Sequence, residues 1–110
     1  YIKPMSCCST KHEIDPASFD KNWYTDRARI LAALSNPARL KMIVSLSQGE
    51  KCVCEMADEV GLDMSTTSRH LAQLRQVGLL VDDRRGNMVF YKLKATCVPA
   101  FLQCLDGFHD

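Results

Sequence analysis

The sequence predicts a mainly α-helical chain carrying one β-hairpin, an α+β fold, on three observations. Between residues 20 and 78, apolar residues recur at helical spacing in four blocks, each bounded by a capping residue or a glycine. The run LLVDDRRGNMVFYKL, residues 79–93, changes to a two-residue period around Arg85-Gly86-Asn87. Helical spacing then returns in KATCVPAFLQCLDGFHD.

Taken in order, residues 1–19 show no sustained period, contain Pro4 and Pro16, and read as a flexible N-terminal arm holding Cys7, Cys8 and His12; residues 20–110 read as the folded domain. The first helix covers about 20–34, with Trp23, Ile30, Leu31 and Leu34 on one stripe. Asn36 suits an N-cap and Pro37 the first helical position, so a second helix is expected to carry Leu40, Ile43, Val44 and Leu46 inward until Gly49. A third, short helix starts near Cys52. Glu55 stands three residues on, where a capping box reaches back, and Gly61 closes the helix. Asp63 caps a fourth helix that Gly78 stops; Leu71, Leu74 and Val77 face inward, leaving Ser65, Thr66, Ser68 and Arg69 largely outward. Two helices joined by a tight turn, the second presenting short polar side chains and an arginine, make a helix-turn-helix, and the hairpin after it makes a wing. The last helix carries Val98, Phe101, Leu102 and Leu105, with Pro99 tolerated in its first turn.

Composition bounds the function. At 110 residues, 46% apolar and 25% charged, the chain is one domain able to fold without staples. No apolar run approaches the roughly 18 residues of a membrane span, and the opening residues carry no secretory core, so a cytoplasmic protein with reduced thiols is expected. Adjacent and one-apart cysteines are also poor disulfide partners, because a disulfide wants Cα atoms about 5.5 Å apart. Residues 65–94 hold six basic side chains against two acidic ones, on a chain whose formal net charge is only +1. That local surplus fits a phosphate-facing surface or a solvated face.

The order of helices, helix-turn-helix, wing and last helix resembles the ArsR/SmtB family of dimeric winged helix-turn-helix repressors. The resemblance covers roughly residues 24–105 and rests on ALSNPARLKMIVSL (33–46), STTSRHLAQLRQVGLL (65–80) and RRGNMVFYKL (84–93). It implies a transcriptional repressor that binds double-stranded operator DNA as a homodimer. A helix of this length spans on the order of 20 Å, and its first turns can enter a major groove. Ser65, Thr66, Ser68 and Arg69 are the candidate readout residues, while Arg84 and Arg85 at the wing are placed against the backbone or minor groove. A glutamine often stands in the family where this chain has Met64, so relatives' base preference does not carry over. His70 beside the apolar row reads as a packed histidine. One winged helix buries modest area, so two copies reading half-sites about one DNA turn apart are expected, with the first and last helices as the dimer surface.

Cys52-Val53-Cys54-Glu55 further resembles the metal-sensing branch of that family. Residues two apart within a helix point about 200° apart, but at a helix start, with Cys52 as N-cap, both sulfurs can meet one ion and the helix dipole favours thiolate. Trigonal sulfur suits As(III), Sb(III) or Pb(II), and a fourth sulfur suits Cd(II) or Zn(II). Cys7 and Cys8 are the natural completion, and resemblance to cadmium/lead-sensing members implies that they come from the partner's arm. Ala57 stands where some arsenic-sensing relatives have a third local cysteine, which makes the arm more necessary. Cys97 and Cys104, seven apart on the last helix, either pack between subunits or form a second site. Ion binding is then expected to order the arm, shift the third helix and release DNA. A repressor whose cysteines are oxidised or persulfidated instead is the alternative. A thiol enzyme or metal carrier is the remote one, since the chain has no C-x-x-C and no phosphate loop.

Overall fold

In the computed structural model, which describes residues 14–108, the first four helices each start where a side chain turns back to accept a backbone N–H. Asp20 accepts from Trp23 N–H at 2.9 Å and opens α1 (Lys21–Leu34). Asn36 accepts from Ala38 and Arg39 N–H at 2.9 and 3.2 Å and opens α2 (Pro37–Leu46). A short strand, β1 (Lys51–Cys52), runs directly into α3 (Val53–Val60), whose N-cap is Cys52. Asp63 opens α4 (Met64–Gln76), which is followed by the hairpin β2 (Leu80–Arg85) and β3 (Met88–Leu93) and by α5 (Val98–Cys104) with a terminal 3₁₀ turn (Leu105–Phe108). Before α1, a 3₁₀ turn at Pro16–Ser18 is held to that helix by Phe19 stacked 3.9 Å from Trp23 and by the Tyr24 hydroxyl donating to Pro16 O.

The α3–α4 pair with its three-residue connection is the expected helix-turn-helix, and the chain is a winged helix. Gly61 ends α3 in the left-handed region, at φ +75°, letting its own N–H and that of Leu62 both reach Ala57 O. Gly86, at φ +62°, supplies the left-handed conformation of the wing turn.

β1, two residues long and without a period in the sequence, changes the architecture. It pairs antiparallel with β3 (Lys51 opposite Tyr91, Cys52 opposite Phe90), so the hairpin belongs to a three-stranded sheet ordered β1-β3-β2. Lys51 then ties the strand to both neighbouring helices, its Nζ donating to Ser45 Oγ and Glu59 Oε1, each at 2.6 Å.

The core is built from Met42, Ile43, Met56, Leu71, Leu74 and Leu80, all buried between α2, α3, α4 and the sheet. Two expected core residues are not there: Leu31 is 52% exposed and Val44 is 49% exposed. Both helices carry apolar residues around most of their circumference, and tertiary packing buries Ala33 and Leu34 in α1 and Met42, Ile43 and Leu46 in α2 instead. Phe101 and Leu105 near the C-terminus are likewise exposed, whereas Val98 is buried.

Replacing Leu74 with alanine should lower the unfolding free energy by about 2–5 kcal/mol, and Asn36→Ala by about 1 kcal/mol. Urea melts followed by circular dichroism measure both.

Candidate functional site

The exposed face of α4 carries the residues expected to read DNA. Ser65, Ser68 and Arg69 are exposed and Thr66 half-buried, while Leu71 and Leu74 on the opposite face are buried. Asp63 accepts from Thr66 N–H, and its hydrogen bonds to Thr66 hold the carboxyl below its ordinary range, so the cap stays charged. Arg69 Nη2 lies 3.4 Å from Thr66 Oγ1 along the same face. Thr67, between them in sequence, points the other way: it is fully buried and its Oγ1 has no partner among the described residues. A hydroxyl in a run of four hydroxyl residues gave no sign of that in the sequence.

His70 takes the packed role. Its Nδ1 accepts from Arg39 Nε at 3.0 Å, and Arg39 Nη1 donates to Ala33 O at 3.0 Å. Arg39 thereby straps the first turn of α2 to the end of α1 and to the middle of α4. Burial, then the Arg39 and Arg69 charges, push His70 below its ordinary value, so the ring is neutral at pH 7.

The two wing arginines differ. Arg85 is fully engaged: Nη1 and Nη2 meet the two Glu50 carboxylate oxygens at 2.8 and 3.0 Å, Nε donates to Asp83 at 2.8 Å, and the guanidinium lies 4.4 Å over the Phe90 ring. Glu50 and then Asp83 hold it firmly protonated. The wing is thus pinned to the residue preceding β1. Arg84 is exposed and makes no ion pair among the described residues, which leaves it the available cation of the pair.

At the start of α3 the two sulfurs converge. Cys52 Sγ and Cys54 Sγ lie 2.6 Å apart without being joined, Cys52 buried and Cys54 exposed. The capping box is complete: Glu55 N–H donates to Cys52 Sγ at 3.4 Å and Cys52 N–H to Glu55 Oε1 at 3.0 Å. The hydrogen bonds to Cys52 hold Glu55 ionised. The expectation that the helix start keeps both sulfurs as thiolates is not met at Cys52. Burial pushes its thiol up, the hydrogen bond with Cys54 pushes it further, and the Glu55 N–H opposes them without prevailing.

The pair opens into a cleft of about 390 Å³ lined also by Val53 of α3, by Met64, Ser65 and Ser68 of α4 and by Asn87, Met88 and Val89 of the wing. The thiols therefore share one cavity with the first turn of the expected reading helix. Cys7 and Cys8, the expected completion of a metal site, lie outside the described residues. Among the described residues no three His, Cys, Asp or Glu side chains are grouped to hold a metal, and Cys52 and Cys54 are a pair of soft donors. Cys97 and Cys104 are both exposed.

The family model for "bacterial regulatory protein, arsR family" matches residues 36–81. The HTH-type transcriptional regulator NmtR of Mycobacterium tuberculosis is 35% identical over 86 residues, covering 78% of this chain and 72% of that protein. The chain belongs to the arsR family. The arsenic resistance transcriptional regulator ArsR1 of Pseudomonas putida is 40% identical over 65 residues, 58% of this chain; the match spans about half, 51%, of that relative's length. Among solved structures, the homodimeric winged helix-turn-helix DNA-binding domain of Mb0332 from Mycobacterium bovis, a possible ArsR-family regulator, superposes with a TM-score of 0.72 at 26% identity, covering 89% of this chain and 91% of that one. These arsR-family relatives are transcription regulators, not enzymes. Among the described residues no helix is long and apolar enough to cross a membrane.

Because the folded state depresses the His70 pKa, the unfolded chain binds the extra proton first. The contribution of His70 to stability is present above the unfolded value near 6.5 and is lost as pH falls through the lower folded value. An NMR titration of the imidazole should give a midpoint below 6.5, and Arg39→Met should move it upward.

Proposed function

We propose that this chain is a transcriptional repressor that binds double-stranded operator DNA as a homodimer and lets go when a soft thiophilic ion binds Cys52 and Cys54. One observation carries the reading: two converging sulfurs open onto a cleft whose other walls are the start of α4 and the wing. Ligand atoms and DNA-contacting atoms are neighbours, so little structure need move to connect them.

DNA contact is assigned to Ser65, Thr66, Ser68 and Arg69 in the major groove and to Arg84 on the backbone or minor groove, with Arg85 holding the wing in position through Glu50. Exposed Tyr24 and Leu31 on α1 and Phe101 and Leu105 at the C-terminal end supply apolar surface for a second copy. The M. bovis neighbour is described as homodimeric and DNA-binding, which supports both halves of the assignment.

The ion is drawn from As(III), Sb(III), Cd(II), Pb(II) and Zn(II), all bound by thiolate sulfur, with Cys7 or Cys8 of an N-terminal segment completing the site. The name of the P. putida relative favours arsenic among these. Coordination takes Cys52 Sγ away from the Glu55 N–H it caps and so loosens the start of α3. Only Gly61, Leu62 and Asp63 separate α3 from α4, so a shift of one helix passes to the other. A coupling of about 1–3 kcal/mol changes DNA affinity some 5- to 150-fold, and bound DNA weakens ion binding by the same factor.

Fluorescence anisotropy with a duplex selected from random sequence by this protein tests the reading. Saturating As(III) or Cd(II) should lower affinity at least fivefold in the native chain and leave Cys52→Ser/Cys54→Ser unchanged. Equal affinity with and without every ion tried sinks the sensor assignment. A response to peroxide or persulfide alone transfers the site to thiol oxidation. In the same assay, Arg84→Ala should reduce the slope of log affinity against log salt by about 0.9 for each protomer's lost phosphate contact.

A further inference from the structure

Two side chains in the thiol cleft are used neither by the core nor by the reading above. Met64, the first residue of α4, is 52% exposed, and Met88, the first residue of β3, is 43% exposed. Long apolar side chains on a surface turned toward phosphate and water gain little from being there. Met42 and Met56 show what a structural methionine does in this chain: both are buried in the core. What Met64 and Met88 share is position, since each lines the cavity into which Cys52 and Cys54 open. Four sulfur-bearing side chains from three elements, the start of α3, the start of α4 and the wing, therefore line one space.

We propose that this cleft is a mixed thiolate–thioether site in which Met64 and Met88 complete the coordination of a soft monovalent cation, Cu(I) or Ag(I), around the cysteine pair. The proposal rests on the assignment of Cys52 and Cys54 as ion ligands and names a second ion class for them. A thioether is a neutral, polarisable donor, which suits a soft ion of low charge and adds little for Zn(II) or As(III). Two thiolates and two thioethers around a monovalent ion leave a net charge of −1, and the two thiol protons pass to solvent on binding. Divalent ions and As(III) still require further thiolates from outside the cleft. A monovalent ion finds a sulfur set within one chain. Both methionines have unbranched side chains with freely turning bonds, so their thioethers can adjust to an ion in the cleft. An ion held this way bridges the first residue of the reading helix to the wing and fixes the spacing of the two DNA-contacting elements.

The test uses the full reduced chain labelled with ¹³C at the methionine methyl groups and titrated with silver nitrate in chloride-free buffer. One equivalent of Ag(I) should shift two methyl signals, assigned to Met64 and Met88 through the single variants Met64→Leu and Met88→Leu, and leave those of Met42 and Met56 in place. The double leucine variant should lose at least tenfold in Ag(I) affinity by chelator competition while keeping its Cd(II)-to-sulfur charge-transfer absorption. Unmoved Met64 and Met88 signals, with Ag(I) affinity unchanged in the double variant but abolished in Cys52→Ser/Cys54→Ser, overturn the thioether site and leave the cysteine assignment standing. Affinity for Ag(I) and Cd(II) indifferent to the serine variants overturns both. A double variant that binds Ag(I) normally yet reads DNA differently without any ion makes the methionines base-contacting side chains and likewise overturns the proposal.

Discussion

The reciprocal cap between Cys52 and Glu55 is the constraint from which the rest of the site follows. An N-cap residue has extended backbone angles, and Cys52, at φ −80° and ψ 166°, can therefore end a strand and begin a helix at once. As the end of β1 it is fixed opposite Phe90 in the sheet; as the N-cap of α3 it turns its sulfur back over the helix start. Cys54, two residues later in the first turn, then meets that sulfur instead of pointing to the far side of the helix. A residue with helical angles at position 52 would separate the two thiols and detach α3 from the wing.

Around this point the fold provides three rigid connections. Lys51 bonds to Ser45 and Glu59 and ties the strand to α2 and α3. Glu50 grips Arg85 with both oxygens and ties the residue before β1 to the tip of the wing. Arg39 joins the end of α1 to His70 in α4. Each surface ion pair is worth little singly, but those of Glu50 and Lys51 come from the two residues that precede Cys52 in the chain. Cys52 is thereby held beside the strand and ion pairs that reach the wing and α2, above the core of Met42, Ile43, Leu71 and Leu74.

Much of this was legible in the sequence because it is local. Asn36-Pro37, Cys52 with Glu55, and Asp63 are caps whose chemistry lies within three residues, and each starts a helix where the pattern placed it. The hairpin likewise announced itself by its two-residue period. What escaped was tertiary. β1 is two residues long and shows no period of its own. Leu31 and Val44 belong to helices apolar around most of their surface, where spacing cannot tell which side faces in. Arg84 and Arg85 look equivalent in sequence, and it takes Glu50, thirty-five residues from Arg85, together with Asp83 and the Phe90 ring, to separate their roles. Burial of the Cys52 sulfur, which opposes its ionisation, also depends on the packed sheet and not on neighbours in the chain. The cleft joining positions 52, 54, 64 and 88 exists only once α3, α4 and the wing are assembled.

Crystallography of the Cd(II)-loaded, DNA-free protein decides whether the thiol pair is the ion site. Both Cys52 Sγ and Cys54 Sγ should lie within bonding distance of a single ion, with the Glu55 N–H bond to Cys52 broken and the start of α4 displaced relative to the wing. An ion held elsewhere, at Cys97 and Cys104 for instance, with the Cys52–Glu55 cap intact, would contradict that assignment.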